Sequence, residues 1–309
     1  MNISDYGKGA VRTPDHIKAQ IPKFGAAPLP AYDWNNPDPL DSVPILNQQQ
    51  TSACTAHGTV AYGMGLDLIA DGAMIDFSRR FIYSQTVLPG GGAYIVDAMN
   101  IPINQGFATE ASVPDVPCTE AVLTDKSLNA GADIVDKAKI LVEIPNNHDI
   151  EYLASFMHLY HGAVTGFDGD DQMFLPDGTA NIPTSATWGH CVKLARPIIH
   201  NGVKSIQFSN SWSAEWGSNG YGFFPQSFVE NGPMFDWYAY VSVQDFINSM
   251  NDTEIVAALQ VLEGYSDPSG QTFWAPQFTA DLRAGLVAYL KARLADKFSQ
   301  EQAVLAKLQ

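Results

Sequence analysis

A cysteine, a histidine and an asparagine in this sequence have the types and surroundings that thiol chemistry requires. Cys54 lies in the first turn of a predicted helix, where the positive end of the helix dipole lowers the pKa of a thiol. A thiolate can attack a carbonyl carbon, but it needs a base and a group that orients the base. His190 starts one predicted strand and Asn210 follows the next, so a turn between the strands would place them side by side. The amide oxygen of Asn210 would then accept the imidazole N–H and fix its tautomer.

The first half of the sequence predicts the helices that position this cysteine. Apolar residues recur every four positions between residues 52 and 71, which is typical of one buried helix face. They are Ala56, Val60, Met64 and Leu68. Ser52 is the predicted N-cap of this helix, and Gly72 is its predicted C-terminal stop. Further helices are predicted over residues 78–87, 94–104 and 149–160.

The second half of the sequence predicts the strands that position the histidine and the asparagine. Strand-like runs cover residues 163–167, 191–195, 205–209, 221–224 and 238–243. Because the connections between most of these runs are short, the strands favour antiparallel pairing. Helices that precede the strands, rather than alternate with them, predict an α+β fold.

Two further segments flank this region. Residues 1–33 are rich in Pro, Gly and Ala without a sustained period, and they predict an N-terminal arm. Near the other end, Asn251 and Glu254 have the spacing of a capping box, and an apolar stripe beyond them predicts an amphipathic helix. The stripe consists of Leu282, Leu286, Leu290, Leu294 and Phe298. The predicted domains are the arm over 1–33, a main domain over 34–245 and a helical C-terminal extension over 246–309.

The charge of the chain limits the classes of partner. The 309 residues include 33 acidic and 17 basic side chains, which give a formal net charge of -16. Such a surface repels nucleic acid and anionic membranes, so neither is an expected partner. No run approaches the ~18 apolar residues of a membrane span, and residues 1–8 lack the apolar segment of a secretory signal. We therefore expect a cytoplasmic or virion-associated protein.

Other reactive residues have simpler interpretations. Three cysteines cannot form a dense disulfide framework, and Cys118 and Cys191 are expected to be structural. His57 stands three residues after the candidate nucleophile, but no second pair of ligands completes a metal site. The aspartates of residues 168–171 lack the spacing of a calcium loop and predict a solvated loop. We expect neither a metal nor a cofactor.

Four motifs in the same order resemble those of the papain-like cysteine peptidases. Gln48 precedes Cys54 by six residues, as the glutamine of that family precedes its nucleophile. The histidine lies in Gly-His-Cys-Val, which is similar to the family's Gly-His-Ala-Val, and Asn210 opens the segment NSWSAEWGSNGY. His190 and Asn210 follow Cys54 by 136 and 156 residues, close to the roughly 130–150 expected in this family. The resemblance covers about residues 33–245.

The resemblance implies a two-lobed fold and a role for each motif. The N-terminal lobe would be helical and the C-terminal lobe would be an antiparallel β-sheet, with the helical C-terminal extension appended to it. Gln48 would donate its side-chain amide to the oxyanion, alongside the backbone N–H of Cys54. Trp212 would shield the hydrogen bond between Asn210 and His190 from water.

The fourth motif implies a substrate-binding cleft. Gly91 and Gly92 resemble the glycine pair that hydrogen-bonds the backbone of a peptide substrate in this family. Trp188, which precedes Gly189, would lie near the pocket for the substrate's second side chain. Both of these residues would then contribute to substrate binding.

The sequence departs from the family beside the nucleophile and at the N-terminus. Thr51 replaces a disulfide-forming cysteine, so that bridge is absent. Thr55 replaces a tryptophan, as in bacterial and viral-type members that read Ser-Cys-Thr-Ala. Residues 1–33 leave no room for the family's long inhibitory pro-segment, and the arm could serve only as a short substitute.

These observations favour a peptidase but leave two alternatives open. In a peptidase, Cys54 would attack a peptide or protein substrate, an acyl-enzyme would form, and His190 would protonate the leaving amine. A structural component of a viral particle or another large assembly is the first alternative, with residues 246–309 docking a protein partner and the activity secondary or lost. A peptide ligase or transpeptidase is the second, since it would use the same residues.

Overall fold

The computed structural model describes residues 3–25, 29–136, 138, 140–145, 147–251, 254, 288–289 and 292. The chain forms two compact units, one with residues 1–22 and 29–240 and the other with residues 23–28 and 241–309. All of the predicted site residues lie in the first unit. The predicted domain boundaries after residues 33 and 245 stay predictions.

Helices fill much of the first half of the chain and have local signals at their ends. In the described residues they are α1 (Asp15–Lys18), α2 (Cys54–Asp71), α3 (Arg79–Thr86), α4 (Ile95–Asn104), α5 (Glu120–Thr124), α6 (Ile150–Tyr160), α7 (Gln226–Asn231) and α8 (Val243–Ser249). Ser78 caps α3 by accepting the N–H of Phe81, and Asp149 caps α6 through the first-turn N–H groups. The helices predicted over 78–87, 94–104 and 149–160 are therefore present, with starts one residue later.

Long strands in the second half of the chain belong to one large sheet, and four short strands of the first half form two separate pairs. The strands are β1 (Ala10–Val11), β2 (Ala93–Tyr94), β3 (Phe107–Ala108), β4 (Ile134–Asp136), β5 (Ile140–Glu143), β6 (Ala163–Gly169), β7 (Trp188–His200), β8 (Val203–Ser209), β9 (Tyr221–Pro225) and β10 (Met234–Val241). The six-stranded sheet has the order β5-β10-β6-β7-β8-β9, and the pairs from β10 to β9 are antiparallel. The α+β fold class is confirmed. The strand predicted over 238–243 was wrong at its end, because the chain begins α8 at Val243.

Helix α2 is the centre of the helical part of this unit. Residues 54–65 are buried on every side, so the prediction of a single buried face was too narrow. Gly58 lies where the helix packs on β7, because a Cβ there would be 3.1 Å from the sulfur of Cys191. Gly72 ends the helix as predicted, in the left-handed conformation (φ 68°), and its N–H donates to the carbonyl oxygen of Leu68.

A buried ion pair fixes the segment before α2 to the sheet. Lys193 of β7 is 1% exposed, and its Nζ donates to the carboxylate of Asp41. Burial lowers the pKa of this lysine, and the nearby carboxylate opposes the shift. This pair could not be predicted from the sequence, because a lysine within an apolar strand has no visible partner until the chain is folded.

Substituting Asp41→Asn is expected to lower the free energy of unfolding by about 3–5 kcal/mol, since it leaves a buried ammonium without its counter-charge. Glu151→Gln is the control, because the pair between Glu151 and Lys204 is exposed and such pairs contribute about 0–1 kcal/mol. Urea denaturation measures both. Equal losses in the two variants would contradict the prediction.

In the second unit the structure describes residues 23–25, 241–251, 254, 288–289 and 292. The predicted capping box is present, because the N–H of Asn251 donates to Glu254 Oε2 at 2.6 Å and the N–H of Glu254 donates to Asn251 Oδ1 at 3.0 Å. The predicted stripe from Leu282 to Phe298 lies outside the described residues. No helix in the described part of the chain is long and apolar enough to cross a membrane.

Candidate active site

Cys54 is the first residue of α2, and its side chain is fully buried. The prediction that Ser52 caps this helix was wrong, because Ala53 holds the N-cap position. The N–H of Ser52 instead donates to Glu120 Oε2 at 2.9 Å, so Ser52 belongs to the preceding loop. Cys54 still lies at the N-terminal end of an 18-residue helix, where the helix dipole favours a thiolate.

His190 and Asn210 are brought together by the neighbouring strands β7 and β8. His190 Nε2 lies 2.8 Å from Asn210 Oδ1, and both side chains are buried. The same Asn210 atom accepts the N–H of Ser211 at 2.8 Å, which identifies it as the oxygen of the amide. The shared proton therefore belongs to His190 Nε2. His190 Nδ1 is buried without a hydrogen-bond partner among the described residues, so its lone pair is available as a base.

Aromatic rings enclose this histidine. The ring of Trp212 stacks on the imidazole with centroids 4.4 Å apart, and Trp212 is itself fully buried. Phe167 of β6 lies edge-on to the imidazole at 5.7 Å, opposite His190 in the β6–β7 register. These rings exclude water from the hydrogen bond between His190 and Asn210, which strengthens it.

Gln48 lies in the same buried cluster. Its Oε1 accepts the hydroxyl of Ser211 at 2.5 Å, so its Nε2 is oriented towards carbonyl oxygens. Nε2 donates to the carbonyl oxygen of Thr51 at 2.7 Å and to that of Gly7 at 3.1 Å. The side-chain amide of Gln48 thus donates to the backbone carbonyl oxygen of Gly7, which lies in the cleft.

The N-terminal arm occupies the cleft beside these residues. The carbonyl oxygen of Gly7 accepts hydrogen bonds from Gln48 Nε2 and from Trp212 Nε1, each at 3.1 Å. The N–H of Gly9 donates to the carbonyl oxygen of Gly189 at 3.1 Å, and its own carbonyl oxygen accepts the N–H of Ala93 at 2.9 Å. The location of the predicted arm in the cleft could not be predicted, because no periodic pattern marks so short a contact.

The next residues of the arm form β1, which pairs with β2 in parallel, with Ala10 opposite Ala93. Backbone N–H groups of Gly9 and Ala10, like those of Thr55 and Cys191, lower the pKa of Cys54 against the effect of burial. The arm therefore lies close to the sulfur.

Glycines allow the arm and the cleft to approach each other closely. A Cβ on Gly92 would lie 2.4 Å from the carbonyl oxygen of Gly9, and one on Gly189 would lie 2.2 Å from that of Ala10. Gly91, which precedes Gly92, has a φ of 94°, and its N–H donates to the carbonyl oxygen of Leu88. Of the predicted cleft residues, Gly92 and Gly189 thus lie beneath the arm.

Comparisons with known proteins identify the family of this chain. Residues 29–229 match the family described as papain family cysteine protease. The chain belongs to the papain family of cysteine proteases. It is 23% identical over 197 residues to mexicain of Jacaratia mexicana, a match that covers 62% of this chain and 86% of mexicain.

Solved structures share the papain fold with this chain. Xylellain, a cysteine protease from Xylella fastidiosa, has a TM-score of 0.60 and 20% identity, covering 78% of this chain and 97% of xylellain. Bromelain from Ananas comosus, solved with the E64 inhibitor, has a TM-score of 0.53 and 20% identity, covering 69% and 98% of the two chains. The predicted two-lobed fold, with a helical N-terminal lobe and an antiparallel β C-terminal lobe, is confirmed.

With the arm in place, burial determines the charge states of Cys54 and His190 in this cysteine peptidase. Burial raises the pKa of Cys54 to about 12 and lowers the pKa of His190 to about 3, although the hydrogen bond to Asn210 opposes the second shift. At neutral pH both groups are therefore uncharged. Because burial is the main cause of both shifts, exposing the pair would favour the thiolate and the imidazolium.

The remaining cysteines and His57 have structural surroundings in this papain-family chain. All three cysteines are free, and Cys118 Sγ lies 3.6 Å from the carbonyl oxygen of Gln48. His57 Nδ1 lies 2.9 Å from the carbonyl oxygen of Ala53, one turn back on α2. Among the residues that the structure describes, no cluster of three or more His, Cys, Asp or Glu could hold a metal ion.

The predicted solvated loop at residues 168–171 was wrong for its first residue. Asp168 lies within β6 and pairs with Arg12 of the arm at 2.6 Å. Asp171 Oδ1 accepts the indole N–H of Trp188 at 2.9 Å. Trp188 in turn lies edge-on to Trp212, with centroids 6.1 Å apart. These acidic residues therefore line the cleft, which their spacing along the sequence does not indicate.

Proposed function

We propose that this papain-family chain is an endopeptidase in which Cys54 is the nucleophile, His190 the base and Asn210 the group that orients the base. The observation that supports this proposal is the 2.8 Å contact between His190 Nε2 and Asn210 Oδ1, which leaves Nδ1 free to act as a base. The backbone N–H of Cys191, the residue after His190, is near enough to Cys54 to lower the pKa of its thiol, so nucleophile and base lie in one site.

The proposed reaction has two steps. In the first, His190 takes the thiol proton, the Cys54 sulfur attacks the peptide carbonyl carbon, and the carbon–nitrogen bond breaks as His190 protonates the leaving amine. In the second, His190 takes a proton from water, the hydroxide attacks the acyl-enzyme, and the thiolate leaves. Gln48 Nε2 and the N–H of Cys54 would stabilise the oxyanion in both steps.

The leaving side of the substrate follows from this chemistry. The leaving amine must reach His190 Nδ1, so the leaving side extends along the wall where Trp212 stacks on the histidine. The acyl side then extends along Gly91, Gly92 and Ala93, the first residue of β2, and this edge would bind a substrate backbone.

We further propose that the arm holds this peptidase latent. A productive substrate would run from Ala93 towards Trp212, whereas the arm runs the other way, with Gly7 at Trp212 and Ala10 at Ala93. Because its direction is the reverse of a productive substrate's, the arm resists cleavage while it excludes substrate. The arm would thereby inhibit the activity of the chain that carries it.

Three further assignments concern the grouping within the family, the reaction and a role in an assembly. Thr55, which follows the nucleophile, supports a grouping with family members that read Ser-Cys-Thr-Ala. A ligase or transpeptidase would use the same residues, and an added amine acceptor would reveal it through new peptide products. The structural role in a particle stays a prediction, since the apolar stripe of residues 246–309 on which it depends lies outside the described residues.

Hydrolysis of an unfolded protein by the full-length chain tests the peptidase proposal. The substitution Gly9→Val provides a chain with its arm displaced, because a Cβ at Gly9 would lie 2.1 Å from the carbonyl oxygen of Ser52. We expect cleavage of internal peptide bonds by this variant, and none when Cys54→Ala is added. A folded Gly9→Val chain that cleaves no peptide would overturn the proposal.

Gln48→Ala in the same arm-displaced chain is expected to lower kcat about 100-fold, since one preorganised oxyanion donor is lost. Its control is Gln226→Ala, because Gln226 bonds an exposed glutamate on its own helix α7. Steady-state hydrolysis of a fluorogenic peptide measures both. A fall in kcat of less than about threefold would contradict the role of Gln48 as an oxyanion donor.

A further inference from the structure

The ammonium group of Lys8 in the arm lies in a pocket formed by the peptidase domain. Its Nζ is 5.4 Å from the ring centroid of Trp188 and 5.9 Å from that of Trp212. The carboxylate of Asp171 lies 3.9 Å from the same nitrogen. Two aromatic faces and one carboxylate around a single position form a site for a cation.

The pocket is built independently of the arm. The indole N–H of Trp188 donates to Asp171 at 2.9 Å, so the carboxylate is held in place by the domain itself. Trp188 and Trp212 meet edge to face, which fixes the angle between the two walls. Lys8 also donates to the carbonyl oxygen of Ile3 at 2.6 Å, but that bond lies within the arm and leaves with it.

The position of the pocket relates it to the reaction. Trp212 stacks on His190, which must protonate the leaving amine, so the pocket lies on the leaving side of the cleft. We propose that Trp188, Trp212 and Asp171 form a subsite that binds a lysine or arginine side chain on the leaving side of the cleaved bond. This inference rests on the proposed peptidase function, and it moves Trp188 from the pocket for the substrate's second side chain to the leaving side.

The arm and the substrate would then compete for the same subsite. Lys8 is the basic residue that the latent state places there, and a basic substrate residue takes its position when the arm leaves. Burial lowers the pKa of Lys8 and the carboxylate of Asp171 opposes this shift, so Asp171 compensates part of the loss of hydration. Asp171 is therefore the residue whose loss should weaken selection for positive charge.

A pair of peptides tests the subsite in the full-length Gly9→Val chain. The peptides differ only in the first residue after the cleaved bond, which is lysine or its uncharged analogue norleucine. We expect kcat/KM to favour lysine about tenfold, and Asp171→Asn to reduce this preference about threefold. Glu230→Gln, which removes an exposed carboxylate on α7, is the control and should leave the preference unchanged. Equal rates for the two peptides would overturn the subsite.

A binding experiment tests the same pocket without any catalysis. The ligand is a synthetic peptide of residues 3–13 with lysine or norleucine at position 8, and the protein is the full-length chain carrying Gly9→Val and Cys54→Ala. Calorimetry is expected to show about tenfold weaker binding of the norleucine peptide, with a smaller difference in the Asp171→Asn variant. Equal affinities would reject the subsite even if peptides are hydrolysed. If the affinity difference between the lysine and norleucine peptides depends on Asp171 in a chain that hydrolyses no peptide, the pocket is supported and only the peptidase function is rejected.

Discussion

The substitution Gly9→Val in the full-length chain is expected to raise peptide hydrolysis about 100-fold, because the arm is held in the cleft by hydrogen bonds worth about 1 kcal/mol each. A side chain at this position cannot be accommodated, since even a Cβ would lie 2.1 Å from the carbonyl oxygen of Ser52. Gly7→Val should act in the same way, because a Cβ there would lie 1.9 Å from the carbonyl oxygen of Thr51. Initial rates with a fluorogenic peptide measure the change.

The matched control is Gly131→Val, since a Cβ at Gly131 meets nothing within 4 Å. It should leave the rate at the level of the unmodified chain. Proteolysis of residues 3–13 would show that Gly9→Val has detached the arm. If the rate of peptide hydrolysis then stayed unchanged, inhibition by the arm would be refuted.

Arm release should also change the pH dependence of the thiol. With the arm seated, burial holds the pKa of Cys54 near 12, far above the physiological range. Release lowers the desolvation of the pair, so the pKa of Cys54 falls and the pKa of His190 rises from about 3. Iodoacetamide should therefore alkylate Cys54 of the Gly9→Val chain at a lower pH than in the unmodified chain.

The second large effect is expected for His190→Ala in the arm-displaced chain, which should lower kcat by about 10⁴-fold or more, as loss of the base does in other triads. Asn210→Ala should cause a smaller fall, because the imidazole remains but its tautomer is no longer fixed. His158→Ala is the control, since His158 is a surface residue that bonds Asp38. Steady-state kinetics on folded variants measure all three, and a loss below about tenfold for His190→Ala would contradict its role as the base.

The core of the fold could be predicted because it depends on local signals. Gly72 ends α2 and Ser78 caps α3, and both signals are visible in the sequence itself. The α+β class followed from the order of helices and strands. The start of α2 could not be placed at Cys54, because the N–H of Ser52 bonds Glu120, a residue far along the chain.

The candidate site was predictable only in part. Cys54, His190 and Asn210 stand in motifs, and the structure brings the last two within hydrogen-bond distance. The two-residue strand β1 has no periodicity, so its parallel pairing with Ala93, more than eighty residues away, leaves no trace in the sequence. The partnership of Lys8 with a cleft carboxylate is likewise a property of the folded chain alone.

Labelling by an epoxysuccinyl probe, located by mass spectrometry, tests whether Cys54 is a nucleophile activated by His190. The Gly9→Val chain should be labelled stoichiometrically at Cys54 at neutral pH, with neither Cys118 nor Cys191 modified. The same chain carrying His190→Ala should stay unlabelled. An inert Cys54 in the folded Gly9→Val chain, or labelling that does not depend on His190, would contradict the account.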